Sequence, residues 1–204
     1  MESASRGSGR ARDTAIDARI LAVAGRHLAR DGYAAMSLAA VAQEAGTTRQ
    51  ALYRRWPGKA ELAAAVVAEL GDEEPVDRAA DDPFGALVAE LTDFRRGVSK
   101  PGRMSLVGTM LQDTTDPELR ARYRARVIAP RRARLLALLE SAGRQGRIEP
   151  DADLEIALTM CTGSWYGREL AGAPVPANWP YRTAALVWRA LGGTVPTPGG
   201  GESD

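Results

Sequence analysis

The sequence predicts an all-α fold, and three observations carry that expectation. Apolar residues recur every three or four positions along most of the 204 residues, cap residues stand where these runs begin, and no stretch alternates apolar and polar residues over six positions except where helix caps flank it. Composition agrees with a globular chain, 45% hydrophobic and 26% charged, long enough to bury a sizeable core. The longest apolar stretch, residues 62–68, falls short of the roughly 18 residues that a membrane span needs. The polar start MESASRGSGR lacks a signal-peptide apolar region, so a cytoplasmic protein without membrane contact is expected.

Each helix has its own start and stop. Asp13 or Thr14 can cap a first helix that carries Ile16, Ile20, Ala24 and Leu28 and ends at Asp31-Gly32, where glycine allows the left-handed stop. Ser37 caps a short second helix to Ala45, closed by Gly46, and Thr48 caps a third to about Arg55, before Pro57 and Gly58. A fourth starts near Lys59 with Leu62, Val66 and Leu70 on one face. The acidic segment 71–82 (GDEEPVDRAADD) reads as a hydrated linker rather than a cation site. Beyond it, Asp82-Pro83 and Asp116-Pro117-Glu118 place a cap before proline at the first helical position. Helices are expected at about 83–98, 103–112, 117–143, 152–171 and 179–192, with Pro130 kinking the longest. Tails 1–11 and 193–204, rich in Gly, Ser, Pro and Thr, are expected to be disordered. Two domains follow, at 12–72 and 73–192.

Counting reactive residues narrows the function. One cysteine, Cys161, allows no internal disulfide and reads as a small buried hydrophobe; one histidine, His27, leaves no imidazole pair for a metal, and reads as a surface or core-edge residue. GSGR near the start follows no strand and is not a phosphate loop. No cofactor or metal is expected, and with no nucleophile and base to pair, neither is an enzyme. The net charge of +1 argues against a protein that coats nucleic acid, but it hides a segregation. Residues 1–60 hold ten basic against five acidic side chains, so a +5 head precedes a −4 body. The arginines of 120–134 recur at spacings of two and spread around their helix, so they read as a solvated face with local ion pairs rather than a nucleic-acid-binding stripe.

Residues 37–55 have the dimensions of a helix-turn-helix. Leu38, Val41 and Ala42 face inward on the first helix and Ala51 and Leu52 on the second, and the small residues Ala42, Ala45 and Ala51 let the two cross closely. The second begins Thr48-Arg49-Gln50, long polar groups at the end that meets base edges when such a helix enters a major groove. Arginine suits guanine and glutamine suits adenine by bidentate geometry.

The stretch ILAVAGRHLARDGYAAMSLAAVAQEAGTTRQALYRRWPGKAEL closely resembles the N-terminal domain of TetR-family transcriptional regulators, through Ile20, Ala24, Leu28, Gly32, Tyr33, Ser37, Val41, Ala42, Ala45, Gly46, Leu52, Tyr53, Trp56, Lys59 and Leu62. Pro117, GRIEPDADLEIAL and SWYGREL resemble the family's C-terminal domain. The resemblance implies a three-helix DNA-binding head followed by a helical ligand-binding and dimerisation domain. It implies that Thr48 caps the recognition helix and bonds a phosphate, and that Tyr53 and Lys59 meet the DNA backbone. Arg49 and Gln50 are then the candidates for base readout, with Arg54 and Arg55 on the flanking backbone or a base edge, and Ser37 and Thr47 complete the expected DNA-binding set. Ala39 and Ala40 stand where some members carry polar residues, so the second helix contributes little readout. Trp56 replaces the more usual phenylalanine, a packing change.

The last two helices are apolar nearly all round and need a second partner, most simply a symmetry mate. A two-fold homodimer is expected through Leu154, Ile156, Leu158, Tyr181, Ala185 and Trp188, placing two recognition helices about 34–36 Å apart to read a palindrome. The bulky residues Phe94, Met104, Leu106, Met110, Tyr123, Met160, Trp165 and Tyr166 read first as core. The resemblance implies that they line an effector pocket whose small, largely apolar ligand releases the operator. The alternative is a helical dimer that binds small molecules or partners without specific DNA binding.

Overall fold

Gly32 breaks the first helix at a backbone conformation (φ 77°, ψ 169°) that side chains other than hydrogen rarely adopt. In the computed structural model of the chain, which describes residues 6–71, 81–100, 103–112 and 116–196, every regular element among those residues is helical. They are α1 (Arg6–Ala35, broken at Gly32), α2 (Leu38–Glu44), α3 (Arg49–Tyr53), α4 (Lys59–Gly71), α5 (Pro83–Val98), α6 (Arg103–Leu111), α7 (Pro117–Tyr123), α8 (Ala129–Arg144), α9 (Leu154–Leu170) and α10 (Trp179–Ala190), with a π-helical turn at Arg124–Ile128.

The expected caps at Ser37, Thr48 and Asp116 are present: Ser37 Oγ accepts from the Ala40 amide, Thr48 Oγ1 from that of Ala51 at 3.1 Å, and Asp116 Oδ1 from that of Leu119 at 2.9 Å. Asp13 and Thr14 are not caps. The helix runs back through both to Arg6, because extending a packed helix fixes one residue per added hydrogen bond and needs no new nucleus. Residues 6–11 are thus helical rather than tail, while 197–204 and most of the 71–82 linker lie outside the described residues. The kink expected at Pro130 takes the form of the π turn. The Ala129 amide reaches the Arg124 carbonyl five residues back, widening the ladder just before a residue that has no N–H and crowds the carbonyl one turn behind.

The helices gather into two compact units. The first comprises residues 1–74 and 99–129, so α6, α7 and the π turn cluster with α1–α4 although they follow α5 in the chain. Its core joins Ile20, Ala24, Leu28, Val41, Leu52, Leu62 and Val66 to Leu106, Met110, Leu119 and Tyr123. Thr109 Oγ1 donates to the Leu28 carbonyl at 3.3 Å inside it.

The second unit, residues 75–98 and 130–204, packs α5 against α10 and α9. Phe84 meets Tyr181 and Trp188 edge-on at 5.8 and 5.4 Å. Glu90, 1% exposed, is held by Arg134 of α8, whose Nε and terminal nitrogen reach its carboxylate at 3.2 and 2.9 Å. Stripping either partner from such a pair leaves a buried charge uncompensated.

Candidate nucleic-acid interface

The second helix of the helix-turn-helix is positioned from behind. Leu52 is fully buried, Ala51 half-buried, and Gly46 turns the chain at φ 63° between α2 and α3. With its apolar side fixed in the core, α3 presents Thr48, Arg49, Gln50, Tyr53 and Arg54 to solvent, Tyr53 at 40% exposure. Among the described residues, Arg49, Gln50 and Arg54 have no side-chain partner, so their donors face outward unspent. Ser37 is exposed and Thr47 half-buried.

Two expected phosphate ligands are placed differently. Arg55, its side chain only 14% exposed, donates through Nε to Asp17 of α1 and through a terminal nitrogen to the Ala51 carbonyl at 3.1 Å. Instead of standing on the outer face with Arg54, where contact with flanking DNA was expected of it, the guanidinium braces α3 against α1. Lys59 donates to the Ala34 carbonyl at 2.9 Å, its ammonium 4.8 Å from the Tyr33 ring centroid. An ammonium has three donors, so this anchorage aims Lys59 and leaves it able to take a phosphate oxygen. Ala39 is exposed and carries nothing that could read a base.

One tie of the head escaped the sequence. His27, 5% exposed, sits 2.8 Å from Glu44 of α2 and 3.3 Å from Asp31, while Arg26 reaches Glu44 at 2.7 Å. Arg26 and then His27 hold the Glu44 carboxyl below its ordinary range, and Arg30 does the same to Asp31. The cluster pins the last residue of α2, one residue before the Ala45-Gly46 turn. The spacing of Arg26, His27 and Arg30 was visible, but the partner on another helix was not.

The expected dimer and pocket residues divide on inspection. Leu158, Ala185 and Trp188 are 2–4% exposed inside the second unit, which corrects their place in an outward interface. They are the inner side of their helices. Leu154 is half-buried, Tyr181 is 37% exposed, and the outward apolar side carries Ile156 and Met160 of α9 and Leu186 of α10, at 58, 42 and 63% exposure. Met160 and Leu186 border an apolar groove of about 350 Å³ with Thr159, Gly163, Ser164, Thr183 and Val187. Of the expected pocket, Phe94, Trp165 and Tyr166 come together in the second unit, with Trp179, which the sequence reading omitted. Leu106, Met110 and Tyr123 are core of the first unit, and Met104 lies half-buried on the same helix as Leu106. Met160 faces outward instead of into a pocket, because it shares a side with Ile156 one turn before it.

Cys161 is fully buried, and burial pushes its thiol up to about 12. Among the described residues no grouping of His, Cys, Asp and Glu could hold a metal ion, and no helix is long and apolar enough to cross a membrane.

Comparison with known proteins gives two family matches. A family model described as bacterial regulatory proteins, tetR family, matches residues 20–66, and one described as the tetracyclin repressor-like C-terminal domain matches residues 77–187. The HTH-type transcriptional regulator YdeS of Bacillus subtilis (strain 168) is 25% identical over 167 residues, covering 79% of this chain and 82% of its own. Among solved structures, a TetR family transcription regulator from Marinobacter aquaeolei VT8 is 25% identical with a TM-score of 0.64, covering 89% of this chain and 98% of its own. The flavonoid-responsive regulator FrrA, 17% identical, shares the fold with a TM-score of 0.68 over 87% of this chain and 95% of its own.

Proposed function

This chain belongs to the TetR family of DNA-binding transcriptional regulators, and on that premise we propose that it is a cytoplasmic repressor that binds a palindromic operator as a homodimer and leaves it when a small, largely apolar ligand binds its C-terminal helices. The observation that carries this reading is the outward face of α3. Arg49, Gln50 and Arg54 stand exposed, without side-chain partners among the described residues, on a helix locked by Leu52 and by the Arg55–Asp17 pair. Arg49 and Gln50, in the first turn, are the base readers; Thr48, Tyr53, Arg54 and Lys59 grip phosphates and set the register, with Ser37 and Thr47 at the margin.

Homodimerisation is supported by Ile156, Met160 and Leu186, bulky apolar groups that one protomer leaves in water. A symmetry mate would cover them and set two heads about 34–36 Å apart. The effector acts by differential binding: a ligand that favours dimers with mis-spaced heads lowers operator affinity by that preference alone. A regulatory rather than enzymatic role is supported by the state of the two most reactive side chains, the buried Cys161 thiol and His27, engaged by Glu44 and Asp31.

Footprinting on the DNA flanking the protein's own gene tests the reading. A protected two-fold symmetric site is expected. A helical dimer that binds small molecules but protects no DNA would favour the interaction-module alternative.

A further inference from the structure

The recognition helix of the head is short for its task. α3 has five residues and one fully buried side chain, Leu52, with Ala51 and the following Trp56 half-buried. One apolar peg fixes where such a helix sits more firmly than how it is rolled about its axis. Thr48 Oγ1 closes the first turn on the Ala51 amide at 3.1 Å, but that bond is internal to the helix and resists no roll.

A second fixed point comes from Arg55, just after the helix. A terminal nitrogen donates to the Ala51 carbonyl at 3.1 Å, and Nε donates to Asp17, 38 positions earlier on α1. Because α1 packs on α2 and α2 on α3, this side chain links α3 to α1 past the helix between them. Asp17 is itself well held: Ile16 before it packs against the core, and Ile20, one turn on, is fully buried. The Arg55 side chain is 14% exposed, and a planar guanidinium holds two acceptors in one set geometry, as an ammonium does not.

Magnitudes decide what this brace controls. Side chains of an α-helix reach roughly 5–6 Å from its axis, so a roll of about 10° carries their tips about 1 Å. Hydrogen bonds to a base edge hold over only about 0.5 Å of donor–acceptor distance, whereas attraction to a phosphate falls off gradually. A loosened α3 therefore loses base readout before it loses its grip on the backbone.

We propose that Arg55 and Asp17 are positioning residues that determine specificity: their pair sets the roll of α3, and so aims Arg49 and Gln50, without either residue touching DNA. The inference deepens the DNA-binding reading above and rests on it for specificity, not for the brace.

The test is fluorescence anisotropy of the full chain on the duplex it selects and on a scrambled duplex of equal length, across a salt series. Arg55→Gln should lower the ratio of the two affinities about tenfold, the size of one lost bidentate base contact, and leave the salt dependence on both duplexes unchanged. Asp17→Asn should lower the ratio too, and the double variant, which restores the net charge, should lose no more than Arg55→Gln alone. Asp17→Asn carries the test should Arg55→Gln not fold by circular dichroism. A salt dependence reduced by one contact in Arg55→Gln, or a ratio that rises or stays unchanged in Asp17→Asn, would overturn the proposal by making Arg55 a DNA ligand. Equal losses on both duplexes would overturn it by making the pair a general stabiliser. Hydrogen exchange of residues 49–56 in the free chain keeps the two readings apart. Faster exchange there in both variants, with a wild-type chain that selects no motif, leaves the brace standing and refutes sequence-specific binding; unchanged exchange in both, with a motif selected, does the reverse.

Discussion

Arg54 and Arg55 are chain neighbours with opposite surroundings. Arg54 is exposed, while Arg55 turns back onto Asp17, 38 positions earlier. Local sequence told them apart in no way, because both follow Tyr53 on a basic stretch; only the approach of α1 separates their roles. Arg49 and Lys59 should separate by specificity. Arg49→Ala should cost about 1–3 kcal/mol at one base position and relax preference there, whereas Lys59→Ala should weaken all DNA alike and flatten the salt dependence by about one phosphate contact. Titrations of operator and random duplex across a salt series distinguish them, and equal losses on both duplexes for both variants would refute the division. Cys161 makes a simpler prediction. With its thiol pushed up to about 12 inside α9, it should resist iodoacetamide at pH 8 in the native protein and react once denatured. Rapid native alkylation would contradict its placement.

At the scale of elements, punctuation was the most legible part of the sequence. Ser37, Thr48 and Asp116 cap helices as read, since a cap is a local hydrogen bond that spans four consecutive residues. The start of α1 was not legible, for its N-terminal turns follow from the packing of residues further on. Nor was the side each helix turns inward: α9 and α10 are apolar nearly all round, and only neighbouring helices decide that Leu158 and Trp188 go in while Ile156 and Leu186 stay out. The outward stripe predicts that Met160→Asp combined with Leu186→Glu yields a folded monomer, seen as a halved mass in light scattering. An unchanged dimer mass would place the interface elsewhere.

The tie between α1 and α2 predicts a pH effect with a definite sign. Because the Glu44 pKa is lowered on folding, the stability it contributes is complete above its ordinary value of 4.5 and is lost as pH falls through the lowered one. The thermal midpoint of wild type should therefore fall toward that of Glu44→Gln below pH 4.5, and parallel curves would show that Glu44 contributes nothing.

Across the whole molecule, a net charge of +1 conceals a basic head and an acidic remainder. Such a protein gains little from DNA as a mere polyanion, so its affinity should depend on the two heads meeting correctly spaced half-sites rather than on overall charge. The family fold was legible because the head's pattern is local and unbroken over some 45 residues; the grouping of α6 and α7 with that head was not, because it joins segments separated by α5. The most direct test of sequence-specific dimeric recognition is selection of binding sites from a pool of random duplexes. The account predicts a two-fold symmetric consensus with half-sites one helical turn apart, about 34–36 Å, whose symmetry-related positions lose discrimination together in Arg49→Ala. Recovery of duplexes without a shared motif would contradict it.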